Sequence, residues 1–257
     1  MSRLWQAEVF STLRIRQVEE VTSTSDLIAD CFVKAQAGEG DAVLAACQTA
    51  GRGRNGKLWQ SPKGNMYLSL VLEPSRPQQE WPGVALVSAL ALRDALAGWI
   101  AEPQLQLKWP NDVLLGNRKI AGLLLEARGT ALVLGCGVNI VSAPPPDMTR
   151  WPATAMADHC RKPPQPIALA EAFGRRLASR YQRWTELGLE DQRLEWQDAA
   201  SQIGQLLAVD CGPAGVKHGR FIGLEKDGAM RLSGNDETPV IIHAGEVLSA
   251  RPVDAGG

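Results

Sequence analysis

Apolar residues recur along this chain in two rhythms. Short runs, alternating or continuously apolar between turn residues, predict strands over Leu13–Val18, Asp41–Cys47, Met66–Leu72, Gln104–Trp109, Lys119–Ala127 and Leu132–Val138. A period near four predicts helices over Ser25–Gln36, Pro82–Ile100 and Ile167–Leu187. The last of these repeats Leu169, Phe173, Leu177 and Tyr181, and Pro82 stands where a first helical turn tolerates proline. Pro144–Pro146 and Pro163–Pro166 read as loops. Beyond Trp196 the texture changes to short apolar runs separated by glycine-containing turns: LLAVDC, GRFIGLEKDGAMRLSG and PVIIHAGEVLSARP. Such a tail predicts a small all-β barrel of about 50 residues, marginal alone and docked on a larger mixed α/β unit.

Composition narrows the function classes. A chain of 257 residues with 45% apolar and 21% charged residues fits one large and one small domain with a real core. Its 27 basic and 28 acidic residues leave a net charge of -1, which argues against binding long nucleic acid by general electrostatics and confines any anion site to a local cluster. The five cysteines are odd in number and include no CxxC pair, so neither a disulfide framework nor a zinc cluster is suggested, and a reducing cytoplasm is the default. The stretch MSRLWQAEVFSTLRIRQ lacks the apolar heart of a signal peptide, and no run reaches the ~18 apolar residues of a membrane span. His159, His218 and His243 are too scattered for a metal site and read as surface or loop residues.

Gly51–Gly56 reads GRGRNG, which formally satisfies the dinucleotide fingerprint GxGxxG, with Glu73 at a suitable distance downstream. That fingerprint requires a helix after the glycines, its N-terminus receiving pyrophosphate; here KLWQSPKGNMYLSLVL comes next, a loop and then a strand. The match is therefore rejected in favour of a basic loop. Arg52 and Arg54 alternate with glycines, so backbone can approach a small anion while guanidinium forks bind its oxygens. A solvated surface loop is the plainer alternative. Trp59 either covers a flat ring as the loop closes or anchors the core.

Lys108–Gly122, KWPNDVLLGNRKIAG, reads as a strand ending in Trp-Pro-Asn-Asp, a short strand, a Gly116-Asn117 turn and a further apolar strand: a hairpin with its polar residues at strand ends. Asn111 and Asp112 form a simple turn, or Asp112 offers a hard oxygen to a magnesium ion carrying triphosphate while Lys119 offers a point charge to carboxylate or phosphate. Ser23–Asp26 has a capping-box pattern, so Ser23 and Thr24 cap a helix or lend hydroxyls to a ligand. Gln48 comes directly after one strand, and Asn139 ends another in GCGVN, placed to hydrogen-bond a nucleotide.

Taken in order, TSTS at Thr22–Ser25, QTAGRGRNGKLWQSPKGNMYLSL at Gln48–Leu70, KWPNDVLLGNRKIAGLLLE at Lys108–Glu126 and GCGVNI at Gly135–Ile140 closely resemble the biotin protein ligases; GLEKDGAMRL and AGEVLSARP resemble that family's C-terminal domain. The resemblance implies an α+β fold: a mixed β-sheet with helices packed on it, of the class II synthetase-like, biotin/lipoate ligase type, over residues 1–200, and the small all-β barrel over 201–257. It implies two steps, in which ATP and biotin form biotinyl-5'-adenylate and the acyl group passes to a lysine of the biotin carboxyl carrier protein of acetyl-CoA carboxylase. By similarity, Ser23, Thr24, Ser25, Gln48, Gly51 and Gly122 line the biotin pocket, and Arg52, Gly53 and Arg54 belong to the loop over biotin and its adenylate. Lys119 sits beside the biotin carboxylate and the α-phosphate, and counts with Arg54 and Asp112 as catalytic. Asp112 holds magnesium, Asn111 and Asn139 the phosphates, and Trp59 packs near adenine. No cysteine need act as a nucleophile.

Two departures from the family pattern stand out. Thr22-Ser23-Thr24-Ser25 replaces the usual Asp-Ser-Thr-Asn, which puts the Ser25 contact in question, and Asn55 stands where a second basic residue is common, which is expected to loosen the hold on the adenylate. Only about 15 residues precede the first strand, too few for a DNA-reading module. The expectation is a monofunctional cytoplasmic enzyme, monomer or homodimer, with no DNA or membrane partner. The competing readings are a lipoate or octanoate ligase, which would need a longer apolar slot, and a binding protein that holds biotin or nucleotide without turnover.

Overall fold

Strands β1 (Arg14–Val21), β2 (Asp41–Gln48), β3 (Met66–Leu72), β4 (Leu105–Lys108), β5 (Asp112–Leu115), β6 (Arg118–Arg128) and β7 (Ala131–Val138) form one mixed sheet in the order β1-β2-β3-β7-β6-β5-β4. The computed structural model describes residues 10–149, 151–234 and 238–251. β1 and β2 run parallel, and a parallel pair needs a crossover; helix α1 (Thr24–Val33) provides it. The remaining neighbours are antiparallel.

The two faces of the sheet are used differently. Helices α2 (Gly83–Leu96) and α3 (Pro166–Leu187) pack on one of them, where Leu70, Leu72, Leu132 and Leu134 meet Leu90, Phe173, Leu177 and Trp184 in the main core. On the other face, Ile28 and Ala29 of α1 cover Val43, Val71, Ala131 and Val133. Side chains alternate along a strand, so β7 presents Ala131, Val133, Gly135 and Gly137 to the α1 side and Leu132, Leu134, Cys136 and Val138 to the core. α1 covers the first two of that series; the two glycines lie beyond it.

The tail folds as a five-stranded antiparallel sheet of β8 (Leu206–Asp210), β9 (Val216–Leu224), β10 (Met230–Ser233), β11 (Val240–Ile242) and β12 (Glu246–Arg251), in the order β11-β10-β9-β8-β12. Phe221, Leu232 and Val247 join the main core. The Trp109 indole N–H donates to Gly228 O at 3.1 Å, and Gln197 Oε1 accepts the Leu224 N–H at 2.6 Å. Arg54 also donates to Gly245 O at 3.0 Å, so the tail is tied to the main unit by polar and apolar contacts alike.

The expected strands are found within a few residues of their ranges, and the Gly116-Asn117 turn joins β5 to β6 with φ of 55° and 62°, the left-handed pair that a tight hairpin favours. The second helix stops at Leu96, earlier than Ile100, and Pro166 begins α3 where a loop was read. Helix α4 (Glu190–Asp198) was not anticipated: it buries only Gln192 and Trp196, too little to leave an apolar stripe. Residues 199–201 then cover the outer edge of β4, with Leu107 N–H on Ala199 O at 2.8 Å. No described helix is long and apolar enough to cross a membrane, and all five cysteines are free.

Glu39, before β2, and Glu73, after β3, exchange hydrogen bonds: each main-chain N–H donates to the other's carboxylate. Burial, reinforced by the Glu73 charge, raises the Glu39 pKa to about 7. A carboxyl titrating higher in the fold than in the open chain stabilises it while protonated; that contribution is present below the ordinary carboxyl range and lost as pH rises through about 7. Glu39→Gln is therefore expected to raise Tm at pH 8 and leave it nearly unchanged at pH 4.5; equal shifts at both pH values in thermal melts would refute this.

Candidate active site

The uncovered stretch of the sheet is the floor of a cleft of about 500 Å³. Gly122 of β6 pairs with Gly137 of β7, and the Trp59 indole lies flat against both. A Cβ on Gly137 would stand 2.5 Å from the ring, so only glycine admits the indole there, while one on Gly122 would crowd Lys119 Cε and Nζ at 3.0 Å and the ring at 3.1 Å. The indole N–H is buried and without a partner.

One wall is the N-terminus of α1. Ser23 caps it, Oγ accepting the Asp26 N–H at 3.4 Å. The Thr24 N–H, an unpaired donor of the first turn, reaches Gln48 Oε1 at 2.8 Å, which fixes the orientation of that amide. The Thr24 hydroxyl donates to the same oxygen at 3.0 Å, so Ser69 must donate to Thr24 (2.7 Å) and Ser25 to Ser69 (3.0 Å). Gln48 Nε2 continues the chain to Ser61 Oγ at 2.9 Å, and Ser61 donates to Trp59 O at 2.9 Å. One directional relay thus runs from α1 to the backbone of the basic loop. Gly51 is packed behind it: a Cβ there would come 2.6 Å from both Ser61 Oγ and Trp59 O.

The basic loop is a bridge between Arg52 and Leu58 enclosing a single turn at Arg54–Gly56, with no helix after its glycines. The Rossmann alternative fails on that ground. Its two arginines have different surroundings. Arg52 pairs with Asp26 at 2.6 Å and with Glu126 at 3.4 Å. Arg54 reaches only the Gly245 carbonyl and Asn111 Oδ1 (3.5 Å) and has no carboxylate at ion-pair distance among the described residues; burial lowers its pKa. The Gly53 N–H closes the turn on Lys57 O at 2.7 Å, and Lys57 pairs with Glu246 of β12 at 2.5 Å. Asn55 has φ 55°, a left-handed conformation that asparagine tolerates better than arginine or lysine, which supplies a backbone reason for the departure at this position.

At the opposite wall, Asp112 opens β5 between two ammonium groups: Lys119 Nζ at 2.6 Å from Oδ1 and Lys108 Nζ at 3.4 Å from Oδ2. Burial alone would raise the Asp112 pKa, but the two lysines more than offset it and hold the carboxyl below its usual range. Burial draws the Lys108 pKa down despite Asp112. Lys119 Nζ also stands 5.2 Å from the Trp59 ring centroid. Asn111 gives its amide hydrogens to Leu123 O and turns Oδ1 toward Arg54. Asn139 Nδ2 donates to Thr154 O at 3.1 Å, which aligns residues 152–154 along β6.

Every residue expected at the site lines this cavity except Gly51, which supports it from behind. Ser25, in question from sequence, is buried and belongs to the relay. Sequence reasoning missed Ser69, Lys108, Trp151 and Glu246, which line the cleft, and Ser61, which the relay needs. Ser69 could have been found as the lone polar residue within MYLSLVL, and Lys108 as the charge closing an apolar strand; Glu246 carries no local signal.

The profile of the Biotin/lipoate A/B protein ligase family matches residues 17–139. The chain is 36% identical over 209 residues to a biotin–acetyl-CoA-carboxylase ligase of Paracoccus denitrificans, a match covering 75% of this chain and 83% of that protein. The chain belongs to the biotin/lipoate protein ligase family. A second ligase of that kind, from Mycobacterium tuberculosis, is 33% identical over 85% of this chain and 78% of its own length. Among solved family members, the Aquifex aeolicus biotin protein ligase in complex with biotin and ATP superposes with a TM-score of 0.80 at 25% identity, covering 93% of this chain and 99% of the other. A Leishmania major ligase holding biotinyl-5-AMP gives 0.64 at 26% identity, over 90% and 98%.

Gly137→Ala is expected to displace the Trp59 indole and to cost about 1–3 kcal/mol by overpacking. The check is tryptophan fluorescence: its emission shifts in Gly137→Ala but not when the same change is made in a Trp59→Phe background. A shift surviving in that background would disprove the contact.

Proposed function

We propose that this chain is an ATP-dependent ligase that activates biotin as biotinyl-5'-AMP and transfers it to a lysine of the biotin carboxyl carrier protein of acetyl-CoA carboxylase. The observation that carries this reading is one cleft that joins a pocket of hydroxyl and amide groups to the ammonium of Lys119 and the carboxylate-free guanidinium of Arg54. The relatives named above are ligases of this kind, and two cations in one cleft suit a reaction between a carboxylate and a phosphate.

In the first step a biotin carboxylate oxygen bonds to the α-phosphorus of ATP while the bond to the pyrophosphate oxygen breaks. Lys119 and Arg54 offset the negative charge on the reacting oxygens. Ser23, Thr24, Ser25 and Gln48 orient the biotin head group through donors and acceptors already fixed, Ser23 by its cap on α1 and the other three by the relay. Arg52, Gly53 and Arg54 close over the adenylate and keep water from its acyl carbon. Gly122 leaves room beside Lys119, Trp59 offers an aromatic face to adenine, and Asn111 and Asn139 lie within the phosphate end of the cleft. In the second step the amine nitrogen of the carrier lysine bonds to the acyl carbon, AMP leaves with the electron pair of the broken C–O bond, and the amine proton passes to an Asp112 or phosphate oxygen.

Magnesium fits this site only in company with the nucleotide. Among the described residues no group of three or more His, Cys, Asp or Glu side chains could hold a metal alone. Asp112 and Asn111 Oδ1 supply hard oxygens for an ion that keeps phosphate and water ligands, and such an ion would neutralise phosphate charge. We place the reaction in the cytoplasm, consistent with five free cysteines. A net charge of -1 offers no general attraction to DNA.

The test is biotin-dependent exchange of labelled pyrophosphate into ATP with magnesium, using lipoate as the control acid. The wild type is expected to exchange with biotin and not with lipoate, and Lys119→Ala to lose about 10²–10³-fold in rate, as for removal of one group that stabilises developing charge. Exchange with lipoate alone, or with neither acid, would overturn the proposal.

A further inference from the structure

One buried ammonium in the cleft has no part in the proposed reaction. Lys108 closes β4 directly opposite Asp112 of β5, and its side chain is only 5% exposed. Its Nζ lies 3.4 Å from Asp112 Oδ2 and, on another side, 4.8 Å from the centroid of the Trp151 ring, whose own N–H is fixed on Asn117 O at 3.1 Å. Asp112 is its sole carboxylate within ion-pair distance among the described residues. A buried charge with a single ionic partner is costly to keep.

The geometry of Asp112 accounts for it. Lys119, 26% exposed, faces the open cleft and is the partner of Oδ1. In the proposed reaction that same ammonium must turn to the biotin carboxylate and the α-phosphate. Asp112 would then keep Lys108 as its one protein cation, and a carboxylate that swung after Lys119 would leave the place from which it can hold magnesium. Lys108, 5% exposed and with the Trp151 ring 4.8 Å from its Nζ, is the more enclosed of the two cations.

We infer that Lys108 is a positioning residue, holding Asp112 by Oδ2 so that Lys119 can leave Oδ1 for the substrate without the carboxylate moving. This rests on the proposed ligase reaction. Lys108 acts through Asp112, and its effect falls on turnover rather than on biotin binding.

The experiment is a double-mutant cycle in biotin-dependent pyrophosphate exchange on the full chain, with kcat and the biotin KM measured for wild type, Lys108→Met, Asp112→Asn and the pair. Lys108→Met is expected to lower kcat about 10–100-fold with the biotin KM within about threefold of wild type, and to lower kcat less than about twofold in the Asp112→Asn background. Three results would overturn the inference: kcat of Lys108→Met within twofold of wild type, a loss carried by KM, or a loss in the Asp112→Asn background more than half as large on a logarithmic scale. Where Lys108→Met does not fold by near-ultraviolet circular dichroism, or Asp112→Asn leaves no measurable exchange, Lys108→Arg and Lys108→Gln decide: the arginine variant at least about tenfold more active than the glutamine variant supports the inference, and any smaller difference overturns it. A wild type that exchanges with neither acid defeats the ligase reaction itself, an outcome separable from every result above.

Discussion

A strand must place successive side chains on opposite faces of its sheet, and in β7 the two faces serve different ends. Leu132, Leu134, Cys136 and Val138 fill the core under α2 and α3, while on the other face Ala131 and Val133 give way to Gly135 and Gly137. The large side rigidifies the sheet and the small side leaves depth above it. Gly122 in register on β6 widens that depth by one more residue. Without this division of labour no cleft would exist between α1 and the hairpin, and the loop would have nothing to close over.

Charge is arranged around the cleft with the same economy. Asp112 draws two lysines to one wall, Asp26 and Glu126 hold Arg52 at the rim, and Arg54 is half-buried with only neutral oxygens at hydrogen-bond distance, the carboxylates of Asp112 and Glu246 lying farther off. The hydroxyl relay holds the uncharged contacts ready at the other end of the cleft.

Much of this was legible in the sequence because the site residues sit at strand ends and turns, where short motifs and local structure coincide. GRGR, KWPND and GCGVN each mark the end of an apolar run, and the cleft collects those ends. The illegible part is contextual. GRGR reads as two equivalent arginines, and only the packing of α1 and β6 around the loop gives one two carboxylates and the other none. α4 leaves no apolar period because it buries a glutamine and a tryptophan and little else. Lys108 is hidden in an apolar run, and its role depends on Trp151, which lies across the sheet edge.

The bond from Arg54 to the Gly245 carbonyl joins residues 191 positions apart. Its acceptor is main chain, so no side-chain change at position 245 simply deletes it; it exists when β12 has formed beside β8 and the tail has docked. During synthesis the sheet, α1 and the basic loop leave the ribosome long before residue 245 does. Through that interval the cleft lacks the contact that seats its free guanidinium. A reactive acyl adenylate is hazardous to form in a site that cannot enclose it, and placing this acceptor so late in the chain makes a fully seated loop coincide with the folding of the last sheet.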